Sequence, residues 1–398
     1  MKNYRKTLIA CYLGFITQAI TGNFVPLLFL TLHREFQISL GQIALIPTVF
    51  FLTQLAVDLF CARFVDQIGY RVSVVASAVF AAAGLAGLAV LPDLTADPFV
   101  GVLICVFIYA VGSGLIEVLC SPIVEACPFE RKEAVMSLLH SFYCWGSVGV
   151  VALSTLFFAV FGMARWRVLA LLWALVPLYN CYNFATCPIE TLVDEGKGLS
   201  IGGLFRLPLF WTAIVLMVCA GASELAMGQW ASAFAESALG LSKTVGDLLG
   251  PCLFAVSMGL CRLIYGKWGE KIPLRSFMIG SGLLCLGCYL ASSLSPAPVL
   301  GLLGCITCGF SVGILWPGTI SISSKRIPLG GTAMFALLAM AGDLGGAIGP
   351  ALVGWVSQAV GDELRAGLRA GCVFSVVLIV SLVLLGKMSG KQPGPAKQ

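Results

Sequence analysis

Long apolar stretches alternate with short polar turns along the whole chain. Each stretch is about 20 residues long, the length that an α-helix needs to cross a bilayer while it satisfies its own backbone hydrogen bonds. The pattern predicts spans at residues 7–32, 42–62, 72–91, 99–122, 135–161, 166–187, 208–234, 244–264, 274–293, 297–321, 332–358 and 367–387. The chain is therefore predicted to be an all-α membrane protein with twelve transmembrane helices.

The longest polar interruption lies in the middle of the chain, and the two sides of it repeat each other. The loop between spans two and three reads DQIGYR at 66–71, and the loop between spans eight and nine reads GKWGEK at 266–271. A second match pairs residues 134–146 with 333–345, at the starts of spans five and eleven. A repeat at half the chain length predicts two pseudo-symmetric six-helix bundles. The predicted parts are an N-terminal bundle at 1–187, a cytoplasmic linker at 188–207 and a C-terminal bundle with a short cytoplasmic tail at 208–398.

Composition and charge agree with a membrane protein. Hydrophobic residues make up 59% of the chain and charged residues 11%, whereas about 25% charged residues is usual in soluble domains. Most Lys and Arg residues fall on the side of the membrane that holds the N-terminus, which predicts that both termini are cytoplasmic. The net charge of +5 follows from this asymmetry and does not indicate nucleic-acid binding. We expect a monomeric, multi-pass protein of the plasma (cytoplasmic) membrane, with the lipid bilayer and a small-molecule substrate as its partners.

The sequence lacks the residue sets of an enzyme. It has no HExxH motif, no phosphate-binding loop and no paired set of Cys and His. Cys305 and Cys308 have the spacing of a metal or redox pair, but they lie within a span with no second pair nearby. We expect them to pack as small apolar side chains. We therefore predict no enzymatic activity, no cofactor and no metal site.

The ionisable residues that lie away from the ends of the predicted spans are Glu117, His140, Glu224 and Asp343, whereas Asp58 and Arg262 lie near cytoplasmic ends and Asp247 near an outer end. A charged side chain at the centre of a bilayer costs about 2.5–3.5 kcal/mol on insertion scales, so each is a candidate functional group. Because Arg262 is predicted near a cytoplasmic end, the middle of the membrane contains acids without Lys or Arg, which disfavours organic anions as substrates. Desolvation favours the neutral form of a carboxyl group, so these acids are predicted to bind H⁺ as the coupling ion, with Na⁺ as the alternative. Glu117 is the first choice, followed by Glu224 and Asp343.

Polar and aromatic side chains within the spans are candidates for substrate recognition. Amide, imidazole and hydroxyl groups can bind substrate hydroxyls, and indole rings can stack on the apolar face of a sugar ring. The candidates are Gln18, Asn23, His140, Tyr143, Trp145, Glu224, Gln229, Trp230 and Trp316. For each of them the alternative is an ordinary packing contact between helices.

The loop at 63–71, together with the twelve spans and the central linker, resembles the major facilitator superfamily. The resemblance covers essentially the whole chain, although Ala62 stands where the family's loop usually begins with Gly. It implies secondary transport at a site between the bundles near mid-membrane. It also implies that the loop latches one conformation, with Arg63, Asp66, Gly69 and Arg71 as the gating candidates. The alternative is that these charges only cap helix ends and anchor the topology.

Residues 112–122, GSGLIEVLCSP, resemble the fourth span of the fucose permease branch of the superfamily, which contains sugar/proton symporters. The resemblance implies that Glu117 serves in proton coupling and sugar recognition, and a Glu that only holds two helices together is the alternative. The same branch carries an acidic residue in span one, four positions before a Pro. This chain departs from that pattern, because Gly22 precedes Pro26 at this spacing.

The preferred hypothesis is proton-coupled uptake of a neutral hydroxylated small molecule, such as a sugar, by alternating access. The alternative on the same fold is proton-driven export of a cationic or amphiphilic compound. Drug-proton antiporters of the superfamily carry a Gly-Pro motif in span five and an Arg in span four, and this chain has neither, which weakens that alternative. A sensor that binds ligand without transporting it is a third hypothesis, and a flux measurement separates it from the other two.

Overall fold

A computed structural model describes residues 3–192, 198–239, 248–295, 297–361 and 363–388. Within these ranges the chain is almost entirely helical and contains no β-strand. Eleven helices among the described residues are long and apolar enough to cross a membrane. The predicted all-α membrane architecture is confirmed.

Twelve helices correspond to the twelve predicted spans, and they are numbered by span. They are α1 (Tyr4–Leu27), α2 (Leu40–Ile68), α3 (Tyr70–Gly87), α4 (Pro98–Ala126), α5 (Lys132–Phe161), α6 (Trp166–Thr186), α7 (Pro208–Leu239), α8 (Leu253–Trp268), α9 (Leu274–Leu294), α10 (Pro298–Val312 followed by Leu315–Arg326), α11 (Gly331–Ala359) and α12 (Leu364–Met388). Shorter helices lie at Phe29–Phe36, Leu91–Leu94 and Ile201–Phe205. Residues 244–247 of the eighth predicted span lie outside the described residues, and its described part is a π-helical turn at Leu248–Cys252 followed by α8.

Capping residues and proline explain several helix boundaries. The Ser39 side chain accepts a hydrogen bond from the Gln42 amide while the Gln42 side chain accepts one from the Ser39 amide, so a reciprocal capping box begins α2. Asp97 is the N-cap residue of α4, as Ser39 is of α2. The tenth span is broken at residues 313–314, shortly before Pro317.

The contacts divide the chain into two compact units. Unit 1 comprises Met1–Glu130, Leu139–Gly198 and Leu329–Leu337, and unit 2 comprises Arg131–Leu138, Leu199–Pro328 and Leu338–Gln398. The first turns of α5 therefore belong to unit 2, and the first turns of α11 belong to unit 1. The sequence repeat predicts two halves but does not predict this exchange of short segments.

Unit 1 is built around a buried apolar core from α1, α2, α3, α4 and α6. Phe24, Tyr109 and Trp166 are among its largest fully buried side chains. Other apolar side chains face outward, and Leu52 and Phe107 are 60% and 54% exposed. An outward-facing apolar surface is expected where the surrounding solvent is lipid.

Unit 2 contains a close contact between α7 and α11 that depends on glycine. A Cβ atom on Gly345 would overlap the carbonyl oxygen of Val218, and one on Gly349 would overlap that of Ala222. Small residues of this kind let membrane helices approach until their backbones touch. The candidate residue Asp343 lies on α11 in this contact region.

Candidate functional site

Glu117 lies in the middle of α4 and is held by two glutamine side chains. Its Oε2 atom accepts hydrogen bonds from Gln18 Nε2 on α1 at 2.8 Å and from Gln54 Nε2 on α2 at 2.9 Å. The neighbouring Gly114 lets α2 approach closely, because a Cβ atom there would lie 3.0 Å from the Val57 side chain. The carboxylate is half-buried, and two amide donors compensate its charge.

Gln54 is a member of this site that the sequence reasoning missed. It is 3% exposed, and its Nε2 atom also lies 3.4 Å from Ser113 Oγ. The signal was available, because an amide in the middle of an apolar span is expected to have a polar partner.

Gln18 is bonded through only one end of its amide. Its Nε2 atom reaches Glu117, whereas its Oε1 atom is buried and has no hydrogen-bond partner within the part of the chain that the structure describes. The residue is 8% exposed. A buried amide oxygen without a donor is unusual in native proteins and requires an explanation.

Polar contacts join α1 and α5 near the candidates Asn23 and Tyr143. Asn23 Nδ2 donates to Ser147 Oγ at 3.1 Å and to the carbonyl oxygen of Ala19 at 2.8 Å. The Tyr143 hydroxyl lies 4.0 Å from the place that a Cβ atom on Gly22 would occupy. The structure thus brings Asn23 and Tyr143 to the same pair of helices.

His140 and Trp145 also lie in unit 1. The His140 Nε2 atom is 3.2 Å from Ser121 Oγ on α4, and its ring packs on Phe15 with centroids 4.8 Å apart. The Trp145 Nε1 atom is buried without a hydrogen-bond partner among the described residues. His140 therefore connects α5 to α4 one turn beyond Glu117. The Trp145 N–H group has no acceptor among the described residues.

Glu224 is paired with a positive charge, which corrects an expectation from the sequence. Arg262 Nη2 lies 3.7 Å from Glu224 Oε2, and the two side chains are 4% and 15% exposed. Arg262 Nε donates to the carbonyl oxygen of Gly313 at 2.8 Å, at the break in α10. The expectation that no Arg accompanies the acids is wrong for Glu224, because the long Arg262 side chain reaches the central break of α10.

Asp343 and Trp316 occupy adjoining positions in unit 2. The Trp316 ring on α10 packs directly on Gly342, where a Cβ atom would overlap it. The Oδ2 atom of Asp343 is buried and has no hydrogen-bond partner among the described residues. Gln229 and Trp230 are part of α7, but their side chains lie outside the described part of the structure.

The predicted gating loop joins α2 and α3, and Gly69 forms its turn with φ = 91°. Thr332, in the first turn of α11, donates from Oγ1 to Asp66 Oδ1 at 2.6 Å and also hydrogen-bonds to the Tyr70 hydroxyl. Arg71 donates to the carbonyl oxygens of Phe184 and Ala185, at 3.0 and 2.8 Å, and so caps the end of α6. The fourth candidate, Arg63, is exposed.

In unit 2 the first turn of α5 is contacted by Tyr265, the residue before the repeated loop, and by Lys325 on α10. The Tyr265 hydroxyl lies 3.4 Å from Glu133 Oε2, in the first turn of α5, and Lys325 Nζ lies 3.5 Å from Glu133 Oε1. Glu133 and Thr332 occupy equivalent positions, each directly before the repeated segment. The acid is on the loop in the first copy and on the helix in the second. Gly269 has φ = −57°, so the second loop turns without the left-handed glycine of the first.

No group of three or more His, Cys, Asp or Glu side chains among the described residues could hold a metal ion. All sixteen cysteines are free thiols, and Cys305 and Cys308 are fully buried. The Cys308 Sγ atom lies 3.9 Å from that of Cys285.

Solved structures with a similar fold include two sugar symporters. The fucose:proton symporter FucP of E. coli superposes with a TM-score of 0.81 at 15% sequence identity, over 97% of this chain and 98% of that chain. The proton:xylose symporter XylE gives a TM-score of 0.79 at 14% identity, over 96% of this chain and 95% of that chain. At this level of identity the likeness shows a shared fold alone.

A family model identifies the family of the chain, which the likeness to solved structures does not. No curated protein matches the chain at a significant level. The model of the Major Facilitator Superfamily matches residues 10–350 and, in a second alignment, residues 253–398. These matches cover most of the chain, and they agree with the repeated loops and the twelve helices. The chain therefore belongs to the major facilitator superfamily and is a membrane transporter rather than an enzyme.

Proposed function

We propose that this transporter takes up a neutral hydroxylated small molecule, such as a sugar, together with protons by alternating access. The observation that carries the proposal is the half-buried Glu117 carboxylate, held in the middle of α4 by the amides of Gln18 and Gln54. An ionisable side chain inside a membrane is costly and marks a proton or ion pathway by default, and the two amides that donate to Oε2 are neutral. The fold likeness to a fucose:proton and a proton:xylose symporter supports the same substrate class.

The donors around Glu117 favour H⁺ over Na⁺ as the coupling ion. A sodium site needs several oxygen atoms directed at the cation. At Glu117 Oε2, two N–H groups are directed at the carboxylate oxygen instead, and their positive ends occupy the positions that a cation would need. A proton adds to the carboxylate without any such set of oxygen ligands.

The contact between α1 and α5 suits a substrate that both donates and accepts hydrogen bonds. Asn23, Ser147 and the Tyr143 hydroxyl supply neutral donors and acceptors, and Trp145 adds a buried N–H without a partner among the described residues. Sugar hydroxyls match such groups, and an indole ring can also stack on the apolar face of a sugar. We assign substrate recognition in unit 1 to these residues and to Gln18.

The gating and topology assignments belong to the same proposal. The hydrogen bond from Thr332 to Asp66 is a latch that is made and broken during transport, whereas Arg71 holds the end of α6. We place both termini in the cytoplasm, the protein in the plasma membrane, and the working unit as a monomer.

A second candidate function rests on Asp343. Its buried Oδ2 atom, which has no hydrogen-bond partner among the described residues, lies one residue from the point where the Trp316 ring packs on α11. An acid beside an indole ring is a recognition element for an organic cation. Export of a cationic amphiphile is therefore the alternative, and it makes Asp343 rather than Glu117 the essential acid.

Transport by purified protein in proteoliposomes tests the proposal. Radiolabelled fucose and xylose are the first probes, driven by a pH gradient or by a sodium gradient alone. Glu117→Gln removes the proton site, so accumulation against a gradient is lost while counterflow exchange persists. The matched control is Glu363→Gln, an exposed acid at the start of α12. Wild-type accumulation by Glu117→Gln would exclude Glu117 as the coupling group, and transport of tetraphenylphosphonium that depends on Asp343 would favour the export alternative.

A further inference from the structure

We propose that the end of α12 carries a binding site for an anionic phospholipid, whose headgroup phosphate is held by Arg275 and Arg326. Both residues belong to unit 2. The site lies where the last turn of α12 meets the start of α9 and the end of α10. It is separate from the transport site and does not depend on the identity of the transported substrate or of the coupling ion.

Two guanidinium groups bind carbonyl oxygens of the same stretch of α12. Arg275 Nε donates to the carbonyl oxygen of Leu382 at 2.9 Å, and its Nη2 atom donates to that of Val383 at 3.3 Å. Arg326 Nη1 donates to the carbonyl oxygen of Leu385 at 2.8 Å. One cation is an ordinary partner for the last carbonyls of a helix. Here two cations lie at one helix end, close enough that their charges repel each other.

A glycine provides the surface on which the Arg275 guanidinium lies. A Cβ atom on Gly386 would overlap the Cζ, Nη1 and Nη2 atoms of Arg275. The planar group therefore packs directly on the backbone of α12, in a place that a larger side chain at residue 386 would fill. Gly386 thus determines where the Arg275 charge is held.

Most N–H groups of the two arginines have no partner in this arrangement. A guanidinium has about five N–H donors, of which the contacts above use two in Arg275 and one in Arg326. Neither residue contacts a carboxylate among the described residues, and both are half-buried. The planar N–H fork of arginine matches the oxygens of a phosphate group. The chemical complement of the pair is therefore a phosphate-type anion.

The position of the pair favours a lipid phosphate over a soluble one. Arg326 and Gly386 are the last residues of two candidate membrane spans, and Arg275 is the second residue of another, so all three lie where headgroups are expected. On the same turn of α12 the apolar side chains of Val383 and Leu384 are 39% and 50% exposed. A phospholipid offers these groups an acyl chain and a phosphate at once.

The sequence that follows has the same sign of charge. From Leu364 onward it contains no Asp or Glu, and residues 386–398 contain Lys387, Lys391 and Lys397. Basic residues clustered directly beyond a transmembrane helix are typical of segments that bind anionic lipids. The sequence and the two arginines therefore indicate the same class of ligand.

Native mass spectrometry of the purified full-length protein tests the site, because it resolves individual bound lipid molecules. The probes are phosphatidylglycerol and phosphatidylcholine with identical acyl chains, and phosphatidylglycerol is expected to bind more tightly. Arg275→Gln and Arg326→Gln should each weaken phosphatidylglycerol binding about fivefold and leave phosphatidylcholine binding unchanged. The matched control is Arg5→Gln, which removes an exposed arginine at the start of α1 and should change neither.

Gly386→Ala separates a built site from general attraction between charges. The variant keeps every charge of the protein, and its methyl group displaces only the flexible end of the Arg275 side chain, so the fold should be retained. Phosphatidylglycerol binding should weaken as much as in Arg275→Gln. Gly280→Ala on α9 is the control, because no atom lies within 4 Å of its added Cβ atom. Thermal melting in detergent without added lipid verifies that each variant is folded.

Three results would overturn the site. Equal binding of the two lipids by the wild type would show that the headgroup charge is not recognised. Wild-type binding of phosphatidylglycerol by Gly386→Ala, or an equal loss in Arg5→Gln, would show general electrostatic attraction without a specific site. Displacement of the lipid by glycerol 3-phosphate or inorganic phosphate at equal concentration would assign the two arginines to a soluble phosphate instead.

Discussion

The contact between α1 and α5 in unit 1 differs from the repeat-equivalent contact between α7 and α11 in unit 2. At Gly146 on α5, an added Cβ atom would lie 2.9 Å from the Ala19 side chain. At Gly345, the equivalent residue on α11, it would overlap a backbone carbonyl oxygen of α7. The first contact includes Asn23, Ser147 and Tyr143, whereas the second is formed mainly by small residues and backbone. The same repeat thus places polar side chains at the contact in one unit and close backbone packing at the contact in the other.

The largest expected effect is at Gly345. Gly345→Ala places a methyl group against the carbonyl oxygen of Val218, and backbone cannot move away as a side chain can, so the cost is expected to exceed the usual overpacking range of about 1–3 kcal/mol. Gly146→Ala meets the Ala19 methyl group at 2.9 Å and the Ile16 Cα atom at 3.2 Å, a much milder overlap, and should cost less. Thermal melting and monodisperse yield measure both, with Gly149→Ala as the control because no atom lies within 4 Å of its added Cβ. Equal losses at Gly345 and Gly146 would contradict the comparison.

A smaller or comparable loss is expected when the buried ion pair of unit 2 is broken. Arg262→Met leaves the Glu224 charge without its partner and removes the donor to Gly313, and breaking a buried pair typically costs about 3–5 kcal/mol in soluble proteins. Glu224→Met combined with Arg262→Met removes both charges and should recover part of the loss. The thermal melting temperatures of the single and the double variant measure this recovery. If the double variant melts no higher than Arg262→Met, the pairing does not account for the loss.

The smallest effect is expected at the two repeated loops. Thr332→Val removes the hydroxyl that joins Asp66 and Tyr70, and loss of about 1 kcal/mol should change the counterflow rate about fivefold. Asp66→Asn should act in the same direction and exceed any change at Gly266. Glu133→Gln tests the second loop, where the longer 3.4 Å contact predicts a smaller change. A larger rate change for Glu133→Gln than for Thr332→Val would reverse the assignment of the main latch.

The architecture follows from the sequence because each span needs a helix length of apolar residues and each half repeats the other. Glu117 could also be identified as a candidate from the sequence, since an acid within an apolar span is energetically costly. The partners were harder to predict. Gln54 and Gln18 converge on Glu117 only because α1 and α2 both pack against α4, and helix rotation is set by packing rather than by composition.

Arg262 shows why the charged side chains that reach the middle of the membrane could not all be identified from the sequence. Its position near the end of a span permits two outcomes, because a long side chain can extend toward water or reach inward to an acid. The structure shows the inward outcome, with Glu224 and the Gly313 carbonyl as partners. Thr332 was not predicted to contact the loop, for a different reason. It occupies the position equivalent to Glu133, but the two copies of the repeat have different residue types there, so the sequence match does not include it.

The space beside Gly22 has an evolutionary consequence. Only the Tyr143 hydroxyl approaches it, at 4.0 Å from an added Cβ atom, so a larger residue could enter without displacing backbone. Codons for Gly and Asp differ by one base, and the resembling branch carries an acid at this place. A single base change at Gly22 therefore connects a chain that has one acid and two amides to a chain that has a second acid on α1.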